Sequence, residues 1–478
     1  MKLKNKNIYI IELLYDSMKK ISRVFKIWIL CLILITITSC ESFVEIDPPK
    51  NTLISQTVFE DVATIESALA NIYYKMREEG MVSGNFGLSV LMGSYADELD
   101  YYGVNIDFLK LYNHNVSASD ATVSNWWSTA YNIIYAANDI LDGIEQSIVL
   151  DTDDRDRFKG QALFVRGYMH SLLVMIYGDI PYIETTDYIT NNSVFRIEED
   201  IIYEKIIIDL TDAVSLLNDT DTTGEHVIPN QSAANALLAR MYLYTENWEK
   251  AEETSSKLIS SFSLEPDVDD VFLKNASETI WQFKPGGPNI KNTQEGQVLI
   301  ITFIPTQGFA ISDNLFSAFE AGDLRATNWI NSITSSDGLT TLNYAYKYKE
   351  TINSASTSLE YSIIFRLAEQ YLIRAEARAY LDDVSGATQD INIIRNRAGL
   401  GETTANTKND LLEAIFKERQ LELFTEHGQR WFDLKRTERA SDVLQLLKTN
   451  WKNTQVLLPI PDTELLVNSN LKPQNSGY

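Results

Sequence analysis

The amino-acid sequence predicts a mostly α-helical protein with few short strands, and three observations lead there. Apolar residues recur at three- and four-residue steps through long stretches of the chain. Runs that read as strands are short and scattered. The only two cysteines, Cys31 and Cys40, lie in an N-terminal leader or at its end, so no disulfide can stand in for a hydrophobic core.

The elements follow in order. Lys19, Lys20, Arg23 and Lys26 form a basic stretch, and Ile27 to Ile37 is an apolar run shorter than the about 20 residues a membrane-spanning helix needs. It ends in Ile37-Thr38-Ser39-Cys40, an aliphatic residue and two small ones before a cysteine, which resembles a bacterial lipobox. Residues 1–39 therefore read as a lipoprotein signal peptide and Cys40 as the acylated N-terminus. Met18 to Cys40 alone has the proportions of such a leader, so residues 1–17 read as an extension from a mis-assigned upstream start. Each buried methylene of an acyl chain contributes about 0.8 kcal/mol, so two or more chains hold a protein at a membrane without spanning it.

Helices are expected at Thr64 to Arg77 and Ser124 to Ile144. Phe158, Ala162, Val165, Met169, Leu172, Leu173 and Ile176 then line one apolar stripe on a helix ended by Gly178 and Pro181. His170 falls toward the less apolar side of that helix and reads as solvated or capping. Glu199 to Leu217, Ser232 to Tyr244 and Trp248 to Ile259 continue the pattern. After expected strands at Thr279 to Phe283, Val298 to Ile304 and Tyr344 to Tyr348, helices resume at Phe365 to Leu381, Ser385 to Arg397 and Lys408 to Phe424. A last strand is expected at Val456 to Pro459. Within the hairpins, Ala239 and Ala251 lie twelve apart, and Ala375 and Ala387 repeat that spacing. Small side chains there let paired helices approach closely, the signature of a tetratricopeptide-like unit that must stack on others to bury its apolar face.

The full chain carries a net charge of −25, and removing the leader leaves −30, from 34 basic against 64 acidic residues. So acidic a protein is a poor match for nucleic acid or an anionic membrane face. With 24 Tyr, 19 Phe and 8 Trp, not every aromatic can be core.

Several ordered motifs carry a family resemblance. Phe43-Val44-Glu45-Ile46-Asp47-Pro48-Pro49 is followed by Gly160 to Tyr168, running into Tyr177-Gly178-Asp179-Ile180-Pro181. Later come Arg366 to Ala377, Ile391 to Leu400, Glu418 to Leu423, Gly428 to Arg436, Leu457 to Pro461 and a final Asn475-Ser476-Gly477-Tyr478. Together they resemble the SusD/RagB family of Bacteroidetes nutrient-binding lipoproteins. The resemblance implies one domain over residues 40–478, with an N-terminal part to about 230 and a C-terminal part from about 231. In it, four helix-turn-helix repeats form a scaffold and a more irregular region carries the ligand site. It further implies a protein lipid-anchored on the outer face of the outer membrane, capturing a glycan or other nutrient for a SusC-like TonB-dependent transporter, without cutting it.

An oligosaccharide offers apolar C–H faces and a ring of hydroxyls, so its binder needs flat exposed aromatics with amide or carboxylate partners. Two loop segments hold such groups: Tyr95 to Asn115 and Phe283 to Tyr348. From them Tyr101, Tyr102 and Trp329 are expected to stack on sugar, Asn105 and Asp107 to hydrogen-bond it, and Tyr344 to join them. Trp126 and Trp127 begin a helix where Trp127 shares a face with Tyr131, Ile134 and Asn138, which reads as packing for Trp127 and leaves Trp126 open.

Signs of catalysis were weighed against this. Glu418, Glu422 and Glu426 share one region, but Lys417, Arg419 and Arg430 are interleaved as ion-pair partners, unlike a glycosidase pair facing each other across a sugar. His114, His170, His226 and His427 show no zinc-binding spacing. No cofactor is expected. Asp151, Asp153 and Asp154 would be the place for a structural calcium ion, although an Asp-rich turn is ordinarily just solvated. A tetratricopeptide-like scaffold for protein partners and a lipid-anchored glycosidase remain the alternative readings.

Overall fold

Helical periodicity becomes a continuous stack of helices in the computed structural model, which describes Phe59 and residues 61–478 except Asn85, Pro288 and Gln307. Cys40, the leader and the Phe43 to Pro49 motif lie outside the described residues. The helices that build the frame are α1 (Val62–Glu78), α2 (Leu88–Tyr95), α3 (Ile106–Tyr112), α4 (Ala121–Gln146), α5 (Thr152–Tyr177), α6 (Glu199–Leu216), α7 (Gln231–Tyr244), α8 (Trp248–Ser261), α9 (Gln294–Leu299), α10 (Leu367–Tyr380), α11 (Val384–Arg397), α12 (Lys408–Leu423) and α13 (Gln429–Arg436). Successive helices from α4 to α8 pack on one another, α8 packs on α10, and α10 packs on both α11 and α12. The tetratricopeptide-like description fits. Ala239 and Ala251 meet in one buried cluster with Ile373 and Ala377, and Ala375 and Ala387 meet in another with Leu411 and Ile415.

Among the described residues six strands form three separate antiparallel pairs: β1 (Leu99–Tyr101) with β3 (Phe309–Ile311), β2 (Thr279–Phe283) with β6 (Ser362–Arg366), and β4 (Ile330–Thr334) with β5 (Thr341–Ala345). Thr279 to Phe283 is the strand expected from sequence. Val298 to Ile304 is not a strand: Thr293 Oγ1 accepts the Gly296 amide at 3.0 Å and starts α9 through Leu299 instead. Val456 to Pro459 joins no ladder, lying against α5 through a Leu458 amide to Ile176 carbonyl bond of 2.9 Å. Phe365 and Arg366 end β6 rather than begin a helix, and α10 follows without a loop.

Helix α5 runs through the core, buried on nearly every side from Gly160 to its end, where Gly178 at φ +73° stops it. His170 is therefore not solvated. Its Nδ1–H donates to the Arg166 carbonyl (2.9 Å), Nε2 accepts the Ile183 amide (3.1 Å), and the ring stacks on Tyr182 at 3.9 Å. Burial pushes its pKa down to about 3, so it stays neutral. Asp151 caps α5, accepting the Asp154 amide at 2.9 Å.

The carboxylates on and after α12 do form ion pairs, but with other partners than their sequence neighbours. Glu418 and Glu422 meet Arg325 at 2.6 and 3.0 Å, Glu422 also meets Arg366 at 2.6 Å, and Arg397 bridges Glu422 to Glu278. Glu426 holds Arg366 and Lys347. Arg419 instead reaches Asp433 (2.7 Å), Arg430 reaches Asp97 (2.7 Å), and Lys417 reaches Glu320 (3.8 Å).

Candidate ligand-binding site

A turn, a strand pair and a helix terminus assemble one cleft beside α1. Helix α1 stops at Glu79, and the chain turns at Gly80 (φ +79°), where a Cβ would lie 2.8 Å from Thr129 Cγ2 on α4. The loop that follows lifts Phe86 to the surface, and the buried Trp126 indole N–H fixes it by donating to the Phe86 carbonyl at 2.8 Å. Trp126 thus positions the loop from within the core. Pairing of β1 with β3, in register Tyr101 to Phe309, then zips together the two segments that the sequence nominated 200 residues apart. The Tyr102 amide extends that ladder to the Gly308 carbonyl at 3.0 Å.

Four rings gather where these pieces meet. Phe86 packs on Phe108 with centroids 5.3 Å apart, Phe108 on Tyr101 and Phe309 at 5.6 Å each, and Tyr101 on Phe309 at 4.7 Å. Of these rings Phe86 is the one left in water, 45% exposed. Against it opens a cleft of about 530 Å³ lined by Glu78, Glu79, Ser83, Asp107, Thr122, Asn125, Thr129 and Gln294 among others.

The polar groups of the cleft divide by whether they are already engaged. Glu78 is neutralised by Arg77 at 2.6 Å and accepts from Gln294, and Ser83 donates to Glu295 at 2.6 Å. Thr122 is only 5% exposed, and its hydroxyl has no hydrogen-bond partner among the described residues. A buried unpartnered hydroxyl is costly, and this one is closed off from the cleft as well. Glu79 and Asp107 meet no basic side chain within 4 Å among the described residues. The lining offers a flat ring, hydroxyls, an amide and two carboxylates outside any ion pair among the described residues, which is equipment for binding.

The residues expected from sequence are divided among several places. Asp107 lines the cleft, on the first turn of α3. Tyr101 lies beneath the site as a buried wall of the aromatic cluster, its hydroxyl accepting the Asn105 amide at 3.1 Å. Tyr102 is 47% exposed, but successive strand residues face opposite ways, so it does not form one platform with Tyr101. It stands by Asp100 and Asp313, whose charges add to burial in raising its phenol pKa. Asn105 caps α3, with Oδ1 accepting the amides of Asp107 and Phe108 at 2.9 and 3.2 Å.

Trp329 and Tyr344 are not exposed platforms. Trp329 is 0% exposed, donates its indole N–H to the Val268 carbonyl at 2.7 Å, and presents its face to the Lys347 ammonium 4.7 Å away. Tyr344 is buried in the β4–β5 pair against Ile301 and Ala310. The sequence reading missed Phe86, Thr122 and Asn125. The spacing of Gly80, Gly84 and Gly87 around Phe86 was the available sign that this ring sits on a loop.

Two other grooves lie among the described residues. One of about 470 Å³ between α7, α10 and α12 holds the Arg436–Glu376 and Arg439–Glu413 pairs, with Glu246 and Glu438 in no ion pair among the described residues. Another of about 350 Å³ lies along α4; Trp127 is packed edge-on to Tyr177 there, Tyr131 donates to the Pro181 carbonyl, and Tyr135 and Tyr188 remain exposed.

Comparison with known proteins agrees with this architecture. A family model described as starch-binding associating with outer membrane matches residues 43–243, and one described as the SusD family matches residues 317–478. SusD-like protein P2 of Formosa agariphila is 26% identical, with 93% of this chain and 98% of that protein covered. A SusD superfamily protein from Bacteroides vulgatus superposes with a TM-score of 0.75 at 22% identity, covering 88% of this chain and all of that one. A laminarin-binding SusD-like protein gives 0.74 at 21% identity, covering 87% and 99%. From its two matched segments, its relatives and its helical frame, the chain belongs to the SusD/RagB family.

Proposed function

We propose that this protein captures an oligosaccharide in the cleft beneath Phe86 and passes it, uncut, to a TonB-dependent transporter of the SusC type. The observation that carries the reading is the cleft itself: an exposed ring beside an exposed Asn125 amide with no hydrogen-bond partner among the described residues, held by Gly80, Trp126 and the β1–β3 pair. A ring of that kind covers the apolar face of a sugar while the amide meets its oxygens. Carbohydrate binding in the family, including the laminarin binder, supports it. Among the described residues no helix is long and apolar enough to cross a membrane. Association with the outer membrane through an acylated Cys40 is supported by the lipobox-like Ile37-Thr38-Ser39-Cys40.

Titration calorimetry against β-1,3-glucan, α-1,4-glucan, β-1,4-mannan and β-1,4-galactan oligosaccharides tests the reading. Saturable binding of one of them, weakened at least about tenfold (roughly 1.4 kcal/mol) in Phe86→Ala/Asn125→Ala and unchanged in Tyr135→Ala/Tyr188→Ala, is expected. Binding lost only in the second variant would move the site to the groove along α4. Absence of binding would favour a scaffold for proteins, and reducing ends accumulating with time would mean a glycosidase.

A further inference from the structure

The cleft is built to select by charge as well as by shape. Its lining contains three carboxylates, Glu78, Glu79 and Asp107, and no Lys or Arg. Glu78 is offset by Arg77 at 2.6 Å. Asp120, next to the cleft at the start of α4, is offset by Lys110 and also accepts the Ser117 amide at 2.9 Å. Glu79 and Asp107 remain without a counter-charge within 4 Å among the described residues.

One feature works the other way. Ala121, Thr122 and Asn125 belong to the first turns of α4, and the N-terminus of a 26-residue helix presents about half a positive charge to its surroundings. Two full negative charges, Glu79 and Asp107, oppose it, against which Lys110, paired with Asp120, also acts on Asp107. A helix start that would ordinarily welcome an anion is thereby turned against one. Hydroxyls suffer no such penalty, since the exposed Asn125 amide can exchange hydrogen bonds with them in either direction.

We infer that the cleft accepts uncharged sugar units and excludes chains bearing uronate or sulfate groups, with Glu79 and Asp107 as the residues that exclude them. This rests on the glycan-binding reading above and adds to it the class of glycan taken.

The test uses three ligands that differ in one group: the tightest-binding oligosaccharide of the neutral panel, the same chain oxidised at C6 to the uronate, and the methyl ester of that uronate. The ester controls for the lost C6 hydroxyl. Calorimetry at low salt should find the uronate at least tenfold weaker than its ester. That gap should narrow in about 0.5 M salt, where exposed charges are screened within a few ångströms, and close in Glu79→Gln/Asp107→Asn. Circular dichroism of the double variant verifies that it is folded. Equal affinities for uronate and ester, or a tighter uronate, would overturn the inference while leaving glycan binding intact. Failure of the neutral parent to bind would overturn the underlying reading instead.

Discussion

Glu98 shows how a single buried carboxyl couples this fold to pH. One of its oxygens accepts the Thr425 amide at 3.2 Å and the other has no partner among the described residues. Burial, with the Asp97 charge adding to it, pushes its pKa up to about 8 from an ordinary 4.5, against smaller opposing effects of Arg430 and Lys347. The folded protein thus holds Glu98 protonated at neutral pH, whereas the unfolded chain ionises it. A group raised in this way contributes stability that is complete below about pH 4.5 and is lost as pH climbs toward 8. Glu98→Gln keeps an acceptor for the Thr425 amide and removes the titration. Urea unfolding of both proteins should therefore show the variant gaining on the wild type, on the order of a few kcal/mol, between pH 5 and 8. A difference independent of pH would mean that Glu98 is already ionised in the fold. Trp329 teaches the same lesson in a different way: its face is given to Lys347, whose own pKa burial pushes down to about 8, and so it has none to give to a sugar.

At the scale of elements, the twelve-residue alanine spacing was readable because both partners of each contact sit on adjacent helices of one hairpin. Ala239, Ala251, Ala375 and Ala387 are all fully buried at helix crossings. Ala387→Leu should force these helices apart and cost about 1–3 kcal/mol in unfolding free energy. Ligand affinity of the folded variant should be retained, because the cleft is built by other elements. Loss of affinity without loss of stability would contradict that separation. The strands were harder to read. β1 and β3 are three residues each, and their pairing across about 200 positions leaves no periodic mark in either. Yet that pairing brings the two nominated loops together and buries Tyr101. The last two residues of α9, Val298 and Leu299, take the place of the start of the strand expected at Val298 to Ile304, because the helix start depends on the Thr293 cap rather than on apolar alternation.

Across the whole molecule, Glu422 ties together stretches far apart in sequence. It meets Arg325, Arg366 and Arg397; burial alone would raise its pKa, but Arg397, Arg366 and Arg325 overcome this and hold it far below the usual carboxylate range. Removing one member of so buried a network strands the others, so Glu422→Gln should lower stability by about 3–5 kcal/mol in urea unfolding. A change under 1 kcal/mol would mean that water reaches the site. The anchor is a separate matter. Cys40→Ser should shift the protein from the membrane fraction to the soluble one with ligand affinity unchanged, since the cleft lies wholly within residues 78–294; continued membrane residence would argue for another attachment. The helical frame, its alanine seams and the acidic charge could be read from the chain alone, because each is written in neighbouring residues or in overall composition. Which aromatics face water, and which arginine meets which glutamate, depended on contacts between residues distant in sequence. Burial and pairing of that kind are set by packing in three dimensions, and a one-dimensional pattern does not record them.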